Sequence, residues 1–190
     1  ERARGFKGGI KRLRILAAER ANVSYQRTLG AGVAVGRWLV FLDADDEVPR
    51  NFLSEIHHYV VEEKDCGLLT TWMSPDSENA SDEMLAMLAN LFLEVARVAD
   101  KPVATGYCLV MRKGVFRKSG GFDEKIKIGE DWDLVDKLTR AGLRLHILKR
   151  PRVKYSFRRL RREGRMSVLR KYANSTARFF MEGPITQELF

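Results

Sequence analysis

The 190-residue sequence predicts an α/β domain, a sheet flanked by helices, with a basic helical tail behind it. Three observations lead there. Short apolar runs of strand length alternate with segments of helical periodicity. One run, W-L-V-F-L from Trp38 to Leu42, ends abruptly in the acidic D-A-D-D. A dense block of cations follows the last apolar run, with eleven Lys and Arg between Lys149 and Lys171 against the single acid Glu163. At 45% hydrophobic residues the chain can bury an ordinary core, which argues against disorder.

The elements follow in order. Arg12 to Ala17 (R-L-R-I-L-A) reads as a short strand. A helix from Ser24 to Val35 comes next, with Ser24 as N-cap and Gly36 as its stop. Trp38 to Leu42 is the next strand, so strand, helix and strand form a βαβ unit whose carboxyl end carries the acids. Pro49 opens a helix to about Lys64, and Cys66 to Met73 is a strand. Ser74 to Ser81 is a loop, with Ser81 capping a helix to about Ala99. That helix is interrupted by Asn90, Glu94 and Arg97, too polar and too short for a membrane span. Pro102 to Met111 reads as a strand, Lys113 to Lys118 as a helical turn, and G-G-F-D-E (Gly120 to Glu124) as a glycine-led loop. Glu130 to Ala141 is a helix stopped by Gly142, and Leu143 to Leu148 a strand. From Arg158 to about Met181, Leu160, Met166, Leu169, Tyr172 and Phe179 fall at helical spacing. No linker forces a second domain, so the division is a core over 1–157 and a basic amphipathic tail over 158–190. Glu1 to Lys11 is basic without an apolar stretch and reads as no secretory leader. Cys66 and Cys108 stand in apolar contexts without metal or disulfide spacing, and read as buried reduced thiols. His57, His58 and His146 lack companion ligands and read as structural or solvated.

Two acidic motifs carry candidate chemistry. Asp43 and Asp45 are two apart, so a continued strand points both to one side, with Asp46 turned elsewhere. Such a pair is a partial oxygen-ligand set for Mg²⁺ or Mn²⁺, which take one or two carboxylates and fill the rest with water and phosphates. The same triplet also fits a solvated turn before Pro49. G-E-D-W-D-L (Gly129 to Leu134) puts Glu130 and Asp131 at a helix start, where acids suit the positive end of the dipole. Asp131 can also project into a cleft and take a proton from a hydroxyl.

Taken in order, S-Y-Q-R-T-L-G-A-G-V-A-V-G-R-W-L-V-F-L-D-A-D-D, T-G-Y-C-L-V-M-R, G-G-F-D-E and G-E-D-W-D-L resemble the family 2 glycosyltransferases of GT-A fold, over roughly Arg12 to Pro151. The resemblance implies a Rossmann-like mixed sheet flanked by helices and an inverting transfer of sugar from a nucleotide-sugar donor to a saccharide hydroxyl or lipid-linked acceptor. It assigns the metal and the donor diphosphate to Asp43 and Asp45, the base to Asp131 of the Glu130–Asp131 pair, a position near the nucleotide to Arg27, and one near the sugar to Gly106. Thr28 departs from the family, which usually has asparagine there. The family's nucleoside-binding first strands have no counterpart in Glu1 to Ile10, so the core reads as incomplete at its amino terminus, completed by a missing segment or a second chain.

The tail segment Y-S-F-R-R-L-R-R-E-G-R (Tyr155 to Arg165) interleaves aromatic and basic residues. It fits a solvated helix face, a surface lying on anionic lipid, or diphosphate contacts from Arg158 or Arg159. No nucleic-acid module accompanies the charge. The location expected is cytoplasmic, peripheral on the inner face of the membrane. Two other classes share some features. One is a non-catalytic binding module on the same scaffold. The other is a haloacid-dehalogenase-like phosphatase with Asp43 as nucleophile, although Glu47 stands where that family has Thr or Val.

Overall fold

A computed structural model describes residues 13–183. Residues 1–12, including the basic start and Arg12, lie outside the described residues. The elements are α1 (Val23–Val33), β1 (Trp38–Leu42), α2 (Phe52–Glu62), β2 (Leu68–Pro75), α3 (Ala80–Val98), β3 (Cys108–Arg112), α4 (Lys113–Lys118), α5 (Glu130–Arg140), β4 (Leu145–Tyr155), α6 (Arg158–Glu163) and α7 (Arg165–Glu182).

The sheet has the order β1-β3-β2-β4. β3 is antiparallel to both β1 and β2, while β2 and β4 run parallel with an irregularity between Thr71 and Met73. Period-two alternation divides the side chains between two cores. Leu39, Phe41, Leu109 and Met111 face one side, where Ala31 of α1, Phe116 of α4 and Leu134 and Leu138 of α5 cover them. Cys108 and Val110 face the other, under Phe52, Ile56 and Val60 of α2 and Leu160 and Val168 of the basic arm. Both cysteines are buried and free. Asn90 is buried on α3, where it satisfies the backbone of Met73 in β2. Its amide accepts from Met73 N (2.9 Å) and donates to Met73 O (2.9 Å), standing in for ladder bonds that the neighbouring strand does not make.

Several expectations need correction. Residues 13–17 form no strand, because no described strand lies beside them to complete a ladder. Among the described residues the βαβ unit is therefore absent, and β1 pairs antiparallel with β3 instead. Asn22, not Ser24, caps α1. Its side chain accepts from Tyr25 N at 2.8 Å, while Ser24 is buried inside the first turn. Likewise Asn79 rather than Ser81 caps α3, accepting from Ser81 N. The strand expected over Pro102 to Met111 begins only at Cys108, because the chain before it turns at Gly106 and Tyr107. The last strand extends to Tyr155, since β2 offers a parallel partner along most of its length. The tail is two helices, broken at Gly164 with φ +85°, a conformation that favours glycine. Its buried apolar residues are Leu160 and Val168, while Met166 is 67% exposed.

No described helix is long and apolar enough to cross a membrane. The outer face of α3 nonetheless exposes Met84, Met87, Leu91, Val95 and Val98.

Candidate active site

The carboxyl end of β1, the turn before β3 and the amino end of α5 meet at one guanidinium. Arg27 projects from α1. Its Nη2 donates to Asp43 Oδ1 (2.7 Å) and to the carbonyl of Gly106 (3.1 Å), and its Nη1 donates to Glu130 Oε1 (2.8 Å). Only 12% of the Arg27 side chain is exposed, so its charge acts in a medium where water screens little. The guanidinium carbon lies 5.5 Å from the centre of the Phe122 ring, supplied by the G-G-F-D-E loop. Gly106 is needed for the close approach: an added Cβ would stand 2.6 Å from Arg27 Nη2.

β1 stops at Leu42 and the chain turns at once, with Asp46 N donating to Asp43 O (3.3 Å). Strand alternation therefore does not set where the acids point; the turn does. Asp43 goes to Arg27, whereas Asp45 lies with Oδ2 3.5 Å from Arg158 Nη2 of α6. Asp46 turns inward, and neither of its carboxylate oxygens, both buried, has a hydrogen bond of ordinary geometry. Burial pushes its pKa up to about 7, and the Asp43 carboxylate adds to that, while the Asp43 backbone amide gives partial relief. Thr28 Oγ1, beside Arg27, is also buried without a hydrogen bond. Buried polar groups left unsatisfied are rare in packed interiors, and these two flank the crevice where the end of β1, the turn before β3 and the start of α5 converge on Arg27.

Gly129 begins α5 in the left-handed region (φ +84°), which turns the chain so that Glu130 and Asp131 occupy the first helical turn. Glu130 faces Arg27. Asp131 is buried, with Oδ1 accepting from Trp132 N (2.9 Å). Burial and the adjacent Glu130 charge raise its pKa to about 7, and Arg27 counteracts them only in part. Trp132 packs edge-on to Phe179 and stacked with Phe180 near the end of α7, which closes that arm over the start of α5.

The structure thus brings Arg27, Asp43, Gly106 and Glu130 into direct contact, with Asp131 next to Glu130 and with Asp45 joined to Arg158. Arg159 is not part of this group; its Nε donates to Glu163 on its own helix (3.1 Å). Sequence reasoning missed the inward turn of Asp46 and the Arg27–Glu130 pair, which are 103 residues apart in the chain. His146 Nδ1 is hydrogen-bonded to Tyr59 OH at 2.8 Å, in keeping with a structural role.

Asp43 and Asp45 offer hard oxygen donors of the kind Mn²⁺ and Mg²⁺ prefer. Among the described residues, no three His, Cys, Asp or Glu side chains converge to hold an ion unaided. That fits cations which draw part of their shell from phosphate and water, so the donor set is compatible with such an ion.

Comparison with known proteins now gives the class. The model of glycosyl transferase family 2 matches residues 2–120, and the chain belongs to that family. Its fold is similar to solved GT-A glycosyltransferases. A mannosyltransferase from Pyrobaculum calidifontis, in complex with GDP-Man and Mn²⁺, aligns with a TM-score of 0.55 at 18% identity over 72% of this chain and 37% of that one. TarS (residues 1–349) from S. aureus aligns with 0.52 at 14% identity over 72% and 40%. Its complex with UDP-GlcNAc aligns with 0.50 at 15% over 67% and 37%. The chain therefore spans two fifths or less of these proteins. Comparison with curated protein sequences gave no match. Membership of this family removes the phosphatase reading.

Proposed function

We propose that the protein transfers a sugar from a nucleotide-sugar donor with inversion at the anomeric carbon. The observation that carries this reading is the Arg27 hub, which draws the acidic end of β1 and the Glu130–Asp131 start of α5 into one crevice. Asp131 is the general base. A buried carboxylate with a pKa near 7 is matched to accept a hydroxyl proton at neutral pH. As the acceptor O–H bond breaks toward Asp131, the acceptor oxygen bonds to the anomeric carbon and the bond from that carbon to the diphosphate oxygen breaks on the opposite face. Glu130 pairs with Arg27, and its nearby charge raises the basicity of Asp131. Arg158 stands beside Asp45, within reach of a diphosphate, where a cation offsets the charge that builds on the leaving group. Arg159 is a second cation on the same helix that could turn to it. A divalent ion held by Asp43 and Asp45 would neutralise the same diphosphate. A polyprenyl-phosphate acceptor would need little help from a base.

Calorimetry with GDP and with UDP, each with Mn²⁺ and then with EDTA, tests the donor site. Affinity should fall at least tenfold on chelation and again in Asp45→Ala. Unchanged affinity in both removes the metal bridge.

The acceptor side is proposed to lie at an anionic membrane surface, supported by the cations of the arm. The protein should sediment with anionic vesicles at low salt and be released as salt rises. Equal partition to neutral vesicles contradicts it.

A further inference from the structure

A second ion cluster lies where the arm meets the core. Asp76, just beyond β2, accepts at Oδ1 from the backbone N–H of Phe157 (3.1 Å) and from Arg161 Nη1 (2.9 Å). Its Oδ2 accepts from Arg161 Nη2 (2.7 Å) and from the Ser156 hydroxyl (3.4 Å). Asp82, in the first turn of α3, is fully buried. Its Oδ1 accepts from Arg165 Nε (3.1 Å) and Nη2 (2.9 Å), and its Oδ2 from Ser77 Oγ (2.6 Å) and Arg161 Nη1 (3.3 Å). Two guanidinium forks therefore close on two carboxylates, and all four carboxylate oxygens are occupied. The hydrogen bonds from Arg161 are the main reason the Asp76 pKa falls to about 2. Burial works against Asp82, yet Ser77 and Arg165 hold its pKa below the usual range.

The anchored positions bracket Arg158. Ser156 and Phe157 precede it, Arg161 follows it by one helical turn, and α6 is only six residues long. A helix that short is not stable by itself in water, so its register is set by what fastens it. Leu160 and the flanking Phe157 supply apolar contacts, but these two side chains do not by themselves fix rotation along the helix. The two forks and the Phe157 amide do. Held this way, α6 presents the largely exposed Arg158 side chain to Asp45.

We infer that Asp76 and Asp82 are positioning residues for the donor. They clamp α6 in the register that carries Arg158 to the Asp43–Asp45 turn, where it meets the donor diphosphate. This rests on the donor site proposed above. Arg161 and Arg165 are then clamp residues, engaged with protein carboxylates, and the phosphate-facing cation of the arm is Arg158.

A double-mutant cycle on the protein at its native length tests this. Binding of GDP and of UDP with Mn²⁺ is measured calorimetrically for wild type, Arg158→Ala, Asp76→Asn and the double variant. Hydrogen exchange over residues 156–170 is followed without nucleotide. Arg161→Gln opens the same clamp from the other side and serves if Asp76→Asn folds poorly. Asp76→Asn should speed exchange in α6 and weaken nucleotide binding roughly fivefold to twentyfold, about as much as Arg158→Ala, since one partly exposed charge-assisted contact is lost. The double variant should bind no more than about twofold worse than Arg158→Ala, because the clamp acts through that residue. Faster exchange with unchanged affinity in both clamp variants, or losses that multiply in the double variant, overturns the inference while the donor site stands. A wild-type protein that binds neither nucleotide with Mn²⁺ overturns the donor site and the inference with it.

Discussion

The crevice and the clamp are built from the same two groups, carboxylate and guanidinium, and end in opposite electrostatic states. In the clamp, Arg161 and Arg165 match Asp76 and Asp82 in number, with Arg161 bridging both acids, every acidic oxygen accepts a hydrogen bond, and both pKa values fall. In the crevice, Asp43, Asp45, Asp46, Glu130 and Asp131 share two contacting cations, Arg27 and Arg158. There the carboxylate oxygens of Asp46 and the whole of Asp131 are buried without adequate compensation, and both pKa values rise. A satisfied ion network holds a segment in place. An acid-rich one left short of positive charge is poised to take up a cation or a proton.

Paired substitutions test this contrast most sharply. Asp131→Asn should lower transfer to a sugar hydroxyl by roughly 10²- to 10⁴-fold, the usual share of a positioned base. It should also stabilise the fold. The folded-state pKa of Asp131 lies above its unfolded value, so the stability gained from its protonated form is complete below about pH 4 and is lost as pH rises through about 7. At pH 8 the asparagine variant should melt several degrees higher than wild type, and the gain should disappear near pH 4. Scanning calorimetry at both pH values, with a transfer assay on the same preparations, reads this out. A lower melting temperature at pH 8 would mean the crevice is as satisfied as the clamp.

Asp82→Asn should do the reverse, destabilising by roughly 1–3 kcal/mol. The buried site loses its charge while Arg161 and Arg165 still reach water, which limits the cost. Chemical denaturation of the two variants side by side should show opposite signs at pH 8. The same sign would erase the distinction between the regions.

The smallest effect is expected at Gly106. In Gly106→Ala the new methyl would crowd Arg27 Nη2, so the guanidinium swings and gives up its bond to that carbonyl. Nucleotide affinity should fall roughly threefold with little change in melting temperature. A fall as large as that of Asp45→Ala would mean that Arg27 itself bears on the nucleotide.

Much of this was legible in the residue order. Lys113 to Lys118 is a helix at the expected bounds, Trp38 to Leu42 is a strand, and Gly142 follows the helix that Glu130 opens. Periodicity and turn chemistry are local, and local signals survive folding when tertiary contacts agree with them. The helix starts were read less well, because asparagine and serine compete as caps and only the backbone decides which one is outside the helix.

By itself the sequence determined the alternation of strands and helices, the acidic end of β1, the acid pair that opens α5 and the cationic arm, since each is a pattern within a few neighbouring residues. Only the tertiary structure decided that β1 pairs antiparallel with β3, that Arg27 joins Asp43 to Glu130, that Asp46 turns inward, and that Asp76 and Asp82 fasten the arm. These contacts join residues up to 103 positions apart, or depend on which way a turn carries a side chain. No local pattern encodes them, because their free energy appears only when the whole sheet brings the partners together.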